Sequence, residues 1–476
     1  MNKEHRFDVI VIGAGAGGLN IAGFMNRAGF RVLLIDKNDA RIGGDCLNFG
    51  CVPSKALIHA ARMVYSARRA SAFGVHAEGA ADWKKVREYI KEKQGVIRAH
   101  ENAEWFRSKG MTVALGHAEF AGRNSVKVDG VEYSAPKIVL ATGSRPRLLE
   151  GQGIEKVSRV LNNENIFDMD ELPRKLLVIG AGPIGMEIAQ ALRFLGSEVV
   201  VSERTGVILG KEDPQMSGIV LEEMKKQGIE FRFNSELKEF ISDHEAVFAD
   251  AEGKEEMVPF DAVFVGVGRM LNTEGLALEK AGIEVNERGG IVADEYLRTT
   301  NKQVYLCGDI AGGFQFTHAA EMHAGVILNN FFSPIKKKFA EGGIAWVTYT
   351  TPEIASFGLW EAELKKRGVA YEALESDFAE DDRAIVDDYR YGKIKVFLSP
   401  GGKILGGTMV APGAGELIQE LALARMEGIP LERLSQKTYP YPVASRINRK
   451  LSLLYRSRGL TPFRLKVLRA LFALHL

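Results

Sequence analysis

Cys46 and Cys51 are two of only three cysteines in 476 residues, and they lie in the run Gly43-Gly-Asp-Cys-Leu-Asn-Phe-Gly-Cys-Val-Pro-Ser-Lys55. Two thiols this close are candidates for reversible disulfide chemistry, and their spacing sets a condition on it. Residues i and i+5 of a regular helix stand roughly 8.6 Å apart at Cα, whereas a disulfide tolerates no more than about 7 Å. A bridge therefore needs the chain between them to leave the helix, and Gly50 supplies that latitude. A bridge held in distorted geometry is also more easily reduced. The other readings are a half-formed metal site and two buried apolar thiols. Zinc takes about four ligands, and no further Cys or His clusters here, so no metal is expected.

The elements around the cysteines carry two nucleotide signatures. Phe7 to Ile12 reads as a strand, followed by Gly13-Ala-Gly15-Ala-Gly-Gly18, a helical pattern from Leu19 to Ala28, and a second strand Val32 to Ile35 ending in Asp36. Gly13 permits the tight turn, Gly15 lets a pyrophosphate approach the backbone, and Gly18 lets helix and strand pack closely. The helix N-terminus favours the phosphates and Asp36 suits an adenosine ribose. The unit recurs as Lys175 to Ile179, then Gly180-Ala-Gly182-Pro-Ile-Gly185, a helix to Leu195, and a strand Glu198 to Ser202 ending in Glu203. Two such units imply two dinucleotides, most simply a flavin and a nicotinamide. Glu203 accepts from a ribose 2′-OH and repels a 2′-phosphate, whereas the adjacent Arg204 pulls towards the phosphate. The balance favours NADH, with NADPH as the alternative donor.

Length and composition set the outer bounds. At about 100–200 residues per domain the chain holds two to four domains, and a net charge of +1 gives no global field for nucleic acid. Three cysteines do not make a secreted disulfide framework, so a reducing cytoplasm is expected. The first strand begins almost at Met1, which leaves no room for a signal peptide. No run of about 18 uncharged apolar residues is present to span a membrane.

Two further segments complete a pattern: Ile138-Val-Leu-Ala-Thr-Gly-Ser-Arg-Pro146, a strand entering a glycine turn, and Thr300-Asn-Lys-Gln-Val-Tyr-Leu-Cys-Gly-Asp309, a strand ending at an acid. With Gly268-Arg269 and Tyr349-Thr-Thr-Pro-Glu-Ile-Ala-Ser-Phe-Gly358, this order of motifs resembles the class I pyridine nucleotide–disulfide oxidoreductases over nearly the whole chain. Glutathione reductase, dihydrolipoamide dehydrogenase and mercuric reductase belong to that family. The resemblance implies an α/β homodimer with two Rossmann-like domains and a C-terminal α+β dimerisation domain. The expected boundaries are 1–150 with 270–340 for FAD, 151–269 for NAD(P)H, 341–455 for dimerisation and 456–476 for a basic tail. It implies that Cys46 and Cys51 form the redox disulfide, with Cys46 meeting the substrate and Cys51 on the flavin. Lys55 stands near flavin N5, paired with Glu187. Asp309 holds the ribityl chain, with Thr317, His318 and Ala319 near the isoalloxazine. Lys37, Gly44, Thr142 and Gly143 join the flavin site, and Gly268 the nicotinamide site. Cys307 reads as a buried, small apolar residue.

The pattern breaks near the C-terminus. Members that exchange electrons with thiols carry a His-x-His-Pro-Thr-like segment followed by a glutamate, and the histidine moves the substrate thiol's proton. Here the segment reads Thr438-Tyr-Pro-Tyr-Pro-Val-Ala-Ser-Arg446, which puts Tyr441 at the histidine and Arg446 at the glutamate. No histidine occurs between Ala324 and Leu474. A tyrosine with pKa near 10 is already protonated at neutral pH and cannot serve as the base, and losing such help costs about 10²–10⁴-fold in rate. Mercuric reductases also carry a tyrosine there, yet this chain lacks their C-terminal cysteine pair. Tyr441 reads either as a hydrogen-bond donor at the site or as interface packing. The acceptor is accordingly read as a metal ion or a quinone. A disulfide reductase with a slow proton step and a slow-turnover redox sensor are the alternatives.

After Glu432 the chain has ten Lys or Arg and no acid. Pro462 to Leu476 reads as a helix with Phe463, Val467, Leu468, Leu471, Phe472 and Leu474 on a broad apolar arc that also takes in Arg464 and His475, opposite Lys466 and Arg469. Such a helix is too short to span a bilayer but suits an anionic leaflet, which would make the protein peripheral to the inner face of the membrane. Packing on its own dimer is the other reading.

Overall fold

Val9 and Val11 of strand β1 (Val9–Ile12) enter one hydrophobic core, and Ile10 and Ile12 enter another. The next strand, β2 (Val32–Asp36), divides in the same way, Val32 and Leu34 against Leu33 and Ile35. An apolar run buried on both faces is the mark of a central parallel strand covered by two layers. The computed structural model describes residues 5–474, which fall into two units, 5–180, 191–200 and 236–341 in the first, and 181–190, 201–235 and 342–474 in the second.

In the first unit β1 and β2 lie in a five-stranded parallel sheet, ordered Val304–Leu306, Ile138–Leu140, β1, β2, Thr112–Leu115. Helix α1 (Ala16–Arg27) and the helix Thr317–Phe332 cover one face, and a three-stranded antiparallel sheet of residues 118–134 covers the other. Strand order reverses between β1 and Ile138–Leu140, which is where α/β sheets open a crevice for ligands. The same unit holds a parallel set, Lys175–Ile179 beside Ala262–Val265 beside Val160–Leu161. An antiparallel meander over residues 236–259 packs with it.

Three expected elements shift. The first strand starts at Val9 because the Phe7 amide donates to the Ser134 carbonyl at 2.9 Å instead of joining the parallel ladder. Helix α1 starts at Ala16, so Gly17 and Gly18 lie inside its first turn. The charged stretch from Trp83 to Lys109 is two helices, Trp83–Arg98 and Ala103–Ser108, because the Asn102 side chain accepts from the Trp105 amide and caps a new start.

The second unit is built on a five-stranded antiparallel sheet, ordered Ala345–Thr348, Glu353–Gly358, Ile404–Ala411, Lys393–Leu398, Glu372–Asp377. Helices Gln419–Met426 and Arg446–Ser457 bury Leu421, Ile447 and Leu451 in its core. The sheet is tied to residues 201–235 by Glu212, which accepts from Trp346 Nε1 and Ser356 Oγ, both at 2.6 Å. Beside it Asp213 pairs with Lys395 at 3.0 Å.

Burial pushes Glu212 up from 4.5 to about 7, against the pull of its two donors. The folded state therefore holds a proton that the unfolded chain releases. Stability falls as pH rises from about 4.5 through about 7 and is level above. Thermal unfolding across that range should show the fall in the parent and a flatter profile in Glu212→Gln, which keeps the shape without the titration. Equal slopes would contradict it.

Candidate redox site

The first fingerprint forms a cradle of backbone. Gly13 has φ +105° and a side chain there would run into the Ala141 carbonyl. At Gly44 a Cβ would come within 2.6 Å of Gly15 Cα, so the start of the redox segment packs directly on the fingerprint. Gly15 precedes α1, whose first turn has no acid and, among the described residues, no side-chain cap. Its amide groups are thus available to a pyrophosphate. Asp36 Oδ2 accepts from the Ala14 amide and Oδ1 from the Lys37 amide, both at 2.7 Å. Burial raises the pKa of Asp36, with those two amides opposing. Each carboxylate oxygen keeps a lone pair for a ribose hydroxyl. These residues fit a dinucleotide.

The second fingerprint repeats the arrangement. Glu203 Oε2 accepts from the Ala181 amide at 3.0 Å, and the two pairs, Asp36–Ala14 and Glu203–Ala181, have the same separation of 22 residues. Gly180 has φ +99° and a Cβ there would lie 2.7 Å from the Gly266 carbonyl, as Gly13 would meet Ala141. Glu203 Oε1 takes the Thr205 amide at 2.9 Å. Gly182 is half-buried, Gly185 is buried within the helix Pro183–Leu195, and Arg204 is exposed.

The redox segment is two helices with a break. Helix α2 (Gly44–Asn48) ends at Phe49, Gly50 takes φ −123° and ψ −119°, and helix α3 (Cys51–Arg69) begins at Cys51 itself. Both cysteines are thiols in this structure, Cys46 half-buried and Cys51 exposed. Thr317, the first residue of its helix, brings Oγ1 to 3.6 Å from Cys51 Sγ, and its hydroxyl opposes the rise of the Cys46 pKa. Cys46, Cys51 and Thr317 thus converge. The hydrogen bond with Cys51, and then burial, push the Cys46 thiol well above its ordinary pKa. Lys55 lies one turn after Cys51 on α3 and donates to Ser54 Oγ at 3.3 Å. His318 stacks on Phe316 at 5.2 Å, and Ala319 beside it is buried.

A polar network joins this segment to the acid expected at the flavin. Arg269 Nη2 stands 3.1 Å from Asp45 Oδ2, and Arg269 Nε donates to Ser144 Oγ at 2.7 Å. Ser144 Oγ donates to Asp309 Oδ2 at 2.5 Å. Thr142 and Gly143 are held by Asn272, through Thr142 Oγ1 to the Asn272 carbonyl at 2.8 Å and the Asn272 amide to the Gly143 carbonyl at 3.0 Å. Gly268, with φ +117°, leads into Arg269. Burial raises the pKa of Asp45 while Arg269 opposes.

The remaining expected residues are described within their own units. Glu187 is buried in the second unit, where Oε1 accepts from the Tyr349 amide at 2.8 Å; Lys55 belongs to the first. Tyr441 is 66% exposed in the second unit, with the Arg446 guanidinium 5.2 Å over its ring. Cys307 is fully buried and its thiol is pushed up by desolvation alone, as suits a core residue. No group of three His, Cys, Asp or Glu among the described residues is arranged to hold a metal ion.

Sequence reasoning missed Asp45, Ser144, Asn163 and Asn272, and quoted Arg269 only as part of a motif. It also missed His323, which is buried, held neutral with its pKa pushed down to about 4 by desolvation, and accepts the Gly308 amide at 3.1 Å. The available signal was adjacency: Asp45 precedes Cys46 and Arg269 follows Gly268.

Residues 7–324 match the pyridine nucleotide-disulphide oxidoreductase family, and residues 344–450 match its dimerisation domain. The chain belongs to this family. It is 32% identical to a dihydrolipoyl dehydrogenase of Chlamydia muridarum, over 94% of this chain and 96% of that one. It is 28% identical to a mercuric reductase of Staphylococcus aureus, over 92% and 81%. Among solved structures, the HOCl-induced flavoprotein disulfide reductase RclA of Escherichia coli superposes with a TM-score of 0.83 at 26% identity, over 94% and 99%. The family is FAD-dependent with NAD(P)H as electron donor, which makes this chain a flavoprotein oxidoreductase, and its dimerisation domain supports a homodimer.

Gly13→Ala would place a methyl against the Ala141 carbonyl at a left-handed backbone position. The purified variant should lose most of its flavin absorbance relative to protein. Full retention would show that the cradle is not where the dinucleotide sits.

Proposed function

We propose that this chain is an NADH-preferring oxidoreductase that passes electrons through a Cys46–Cys51 disulfide to a soft metal ion. In this reading residues 1–150 and 270–340 bind FAD, residues 151–269 bind the nicotinamide nucleotide and residues 341–455 form the dimer. FAD, when bound, supplies the relay of an electron pair from nicotinamide to the disulfide. Gly13, Gly15, Gly18, Asp36, Lys37, Gly44, Thr142, Gly143, Asp309, Thr317 and His318 hold it. Gly180, Gly182, Gly185, Glu203, Arg204 and Gly268 serve the nicotinamide nucleotide. Cys51, hydrogen-bonded with Thr317, faces the flavin; Cys46 faces the acceptor. Lys55, paired with Glu187, stabilises the thiolate.

The observation that carries the metal reading is a half-buried thiol pushed well above its ordinary pKa, in a chain whose C-terminal part has no histidine to take a substrate proton. Cys46 is held protonated by Cys51 and by burial, and no histidine lies between Ala324 and Leu474. A thiol substrate would have to lose its proton without help. A thiophilic cation needs none, because coordination itself expels the thiol proton. The step balances: two S–H bonds break, the S–S bond forms, two protons go to water, and the electron pair goes to one Hg²⁺, giving Hg⁰, or is divided between two Cu²⁺, giving two Cu⁺. Two relatives lend weight to it. Mercuric reductases appear at 28–31% identity, and a cysteine-to-serine variant of RclA has been solved with Cu(II) at 25% identity. Tyr441 and Arg446, stacked on each other, take the place of the usual acid–base pair and form a polar wall at the dimer.

Steady-state NADH oxidation against Hg²⁺, Cu²⁺, a short-chain quinone, lipoamide and glutathione disulfide tests this. Metal-dependent turnover that Cys46→Ser and Cys51→Ser each reduce by at least about 10²-fold is expected. Fast lipoamide turnover would overturn the reading of Tyr441. Metal turnover unchanged in both serine variants would mean that electrons leave without the disulfide. Quinone turnover alone would favour the second acceptor, and no turnover at all would favour a sensor.

We propose also that the tail, residues 456–476, rests on an anionic membrane at the cytoplasmic face. The helix Pro462–Leu474 buries no residue, and Phe463 and Phe472 are 74% and 69% exposed. Its 13 residues extend about 20 Å, short of the roughly 30 Å bilayer core. No helix among the described residues is long and apolar enough to cross. His475 lies outside the described residues. The absence of any acid after Glu432 favours an anionic partner over a neutral one. Co-sedimentation with phosphatidylglycerol vesicles should fall to the level of neutral vesicles when residues 456–476 are removed. Equal binding with and without the tail would overturn the proposal, and loss of the dimer on removal without vesicle binding would assign the helix to the subunit contact.

A further inference from the structure

The residues from Cys46 to Cys51 are gripped from outside by side chains from two distant stretches of chain. Asn163, itself buried, donates Nδ2 to Asp45 Oδ1 at 3.2 Å and to the Phe49 carbonyl at 3.4 Å, so one amide spans the base of the loop. Its neighbour Glu164 pairs with Arg41 at 3.0 Å, and the Arg41 guanidinium lies 4.5 Å over the Phe49 ring. From the other side Arg269 reaches Asp45 Oδ2 at 3.1 Å while bonded to Ser144. Gly50 backs onto the same aspartate, for a Cβ there would lie 3.0 Å from the Asp45 carbonyl oxygen and 3.3 Å from its carboxylate. Asp45 therefore meets the loop through its carbonyl, which accepts the Phe49 amide at 2.8 Å, and meets the rest of the fold through both carboxylate oxygens.

The origin of the two grips is informative. Asn163 and Glu164 lie just after the chain enters the stretch assigned to the nicotinamide nucleotide, and Arg269 lies where it leaves. Both crossings thus end on the redox loop, within the first unit.

We infer that Asp45 is a positioning residue which, clamped between Asn163 and Arg269, holds the Cys46–Cys51 loop in the geometry from which the two thiols close, and so sets how readily the disulfide is reduced. The inference rests on the proposed redox disulfide. Closure is favoured in proportion to how well the loop presents one sulfur to the other. A loop that wanders loses that advantage, and the dithiol gains relative to the bridge.

The test equilibrates the flavin-bound dimer in glutathione buffers and traps free thiols by alkylation. The exchange is balanced: the Cys46–Cys51 bridge plus two glutathione thiols gives the dithiol and glutathione disulfide. Asp45→Asn and Asn163→Ala should each shift this equilibrium towards the dithiol by about tenfold, about 30 mV. The double variant should move little further, since both act through one clamp. Asn163→Ala leaves the Asp45 side chain in place, so its shift reports the clamp apart from replacement of the carboxylate. Should Asp45→Asn fail to keep its flavin, Asn163→Ala carries the test alone. Both variants within twofold of the parent would overturn the inference, as would a shift confined to Asp45→Asn. A parent with no glutathione-reversible couple would overturn the disulfide reading instead and take this inference with it.

Discussion

A helix that ran unbroken from Gly44 into α3 would hold Cys46 and Cys51 beyond disulfide reach, and Gly50 is where the structure escapes that limit. Its backbone angles belong to neither flanking helix, and a Cβ there would lie a tight 3.0 Å from the Asp45 carbonyl oxygen. The break makes Cys51 the first residue of a new helix and turns it to the Thr317 hydroxyl. The rest of the first unit serves that placement. Gly44 packs on Gly15, so the glycine loop that fits a pyrophosphate also seats the redox segment. Arg269 and Ser144 then link the segment to Asp309.

Duplication supplies the second half of the device. At both nucleotide signatures the acid at the end of the second strand accepts the amide of the residue between the first two glycines. The first glycine in each adopts a left-handed φ against the carbonyl of a neighbouring strand end. One backbone arrangement that fits a dinucleotide thus appears twice, and the cysteine segment lies outside it.

Much of this was legible in the chain. Strand, glycine run, helix and acid occur in an order that local geometry dictates, so the parallel sheet and its two cradles followed from spacing. The requirement for a break at Gly50 followed from helix dimensions. What stayed hidden were contacts between polar residues far apart in sequence, such as Asn163 with Asp45 and Glu212 with Trp346 and Ser356. A buried carboxylate or amide has no periodicity, and its partners are chosen by the tertiary fold. The start of the first strand was also misplaced, because the Phe7 amide found an acceptor in another sheet. Tyr441 was singled out by what it replaces. Its contact with Arg446, the other altered position, came only from the fold.

The raised Cys46 thiol and the lack of histidine between Ala324 and Leu474 bear on the acceptor only if the two sulfurs are a working redox couple. That couple is the claim on which the remaining chemistry stands. Anaerobic reductive titration of the flavin-bound protein measures it directly, by counting electrons taken up per flavin. The account predicts that the parent takes up twice the electrons of its flavin alone, and that Cys46→Ser and Cys51→Ser each take up only the flavin's share. Equal uptake by the parent and both variants would contradict it.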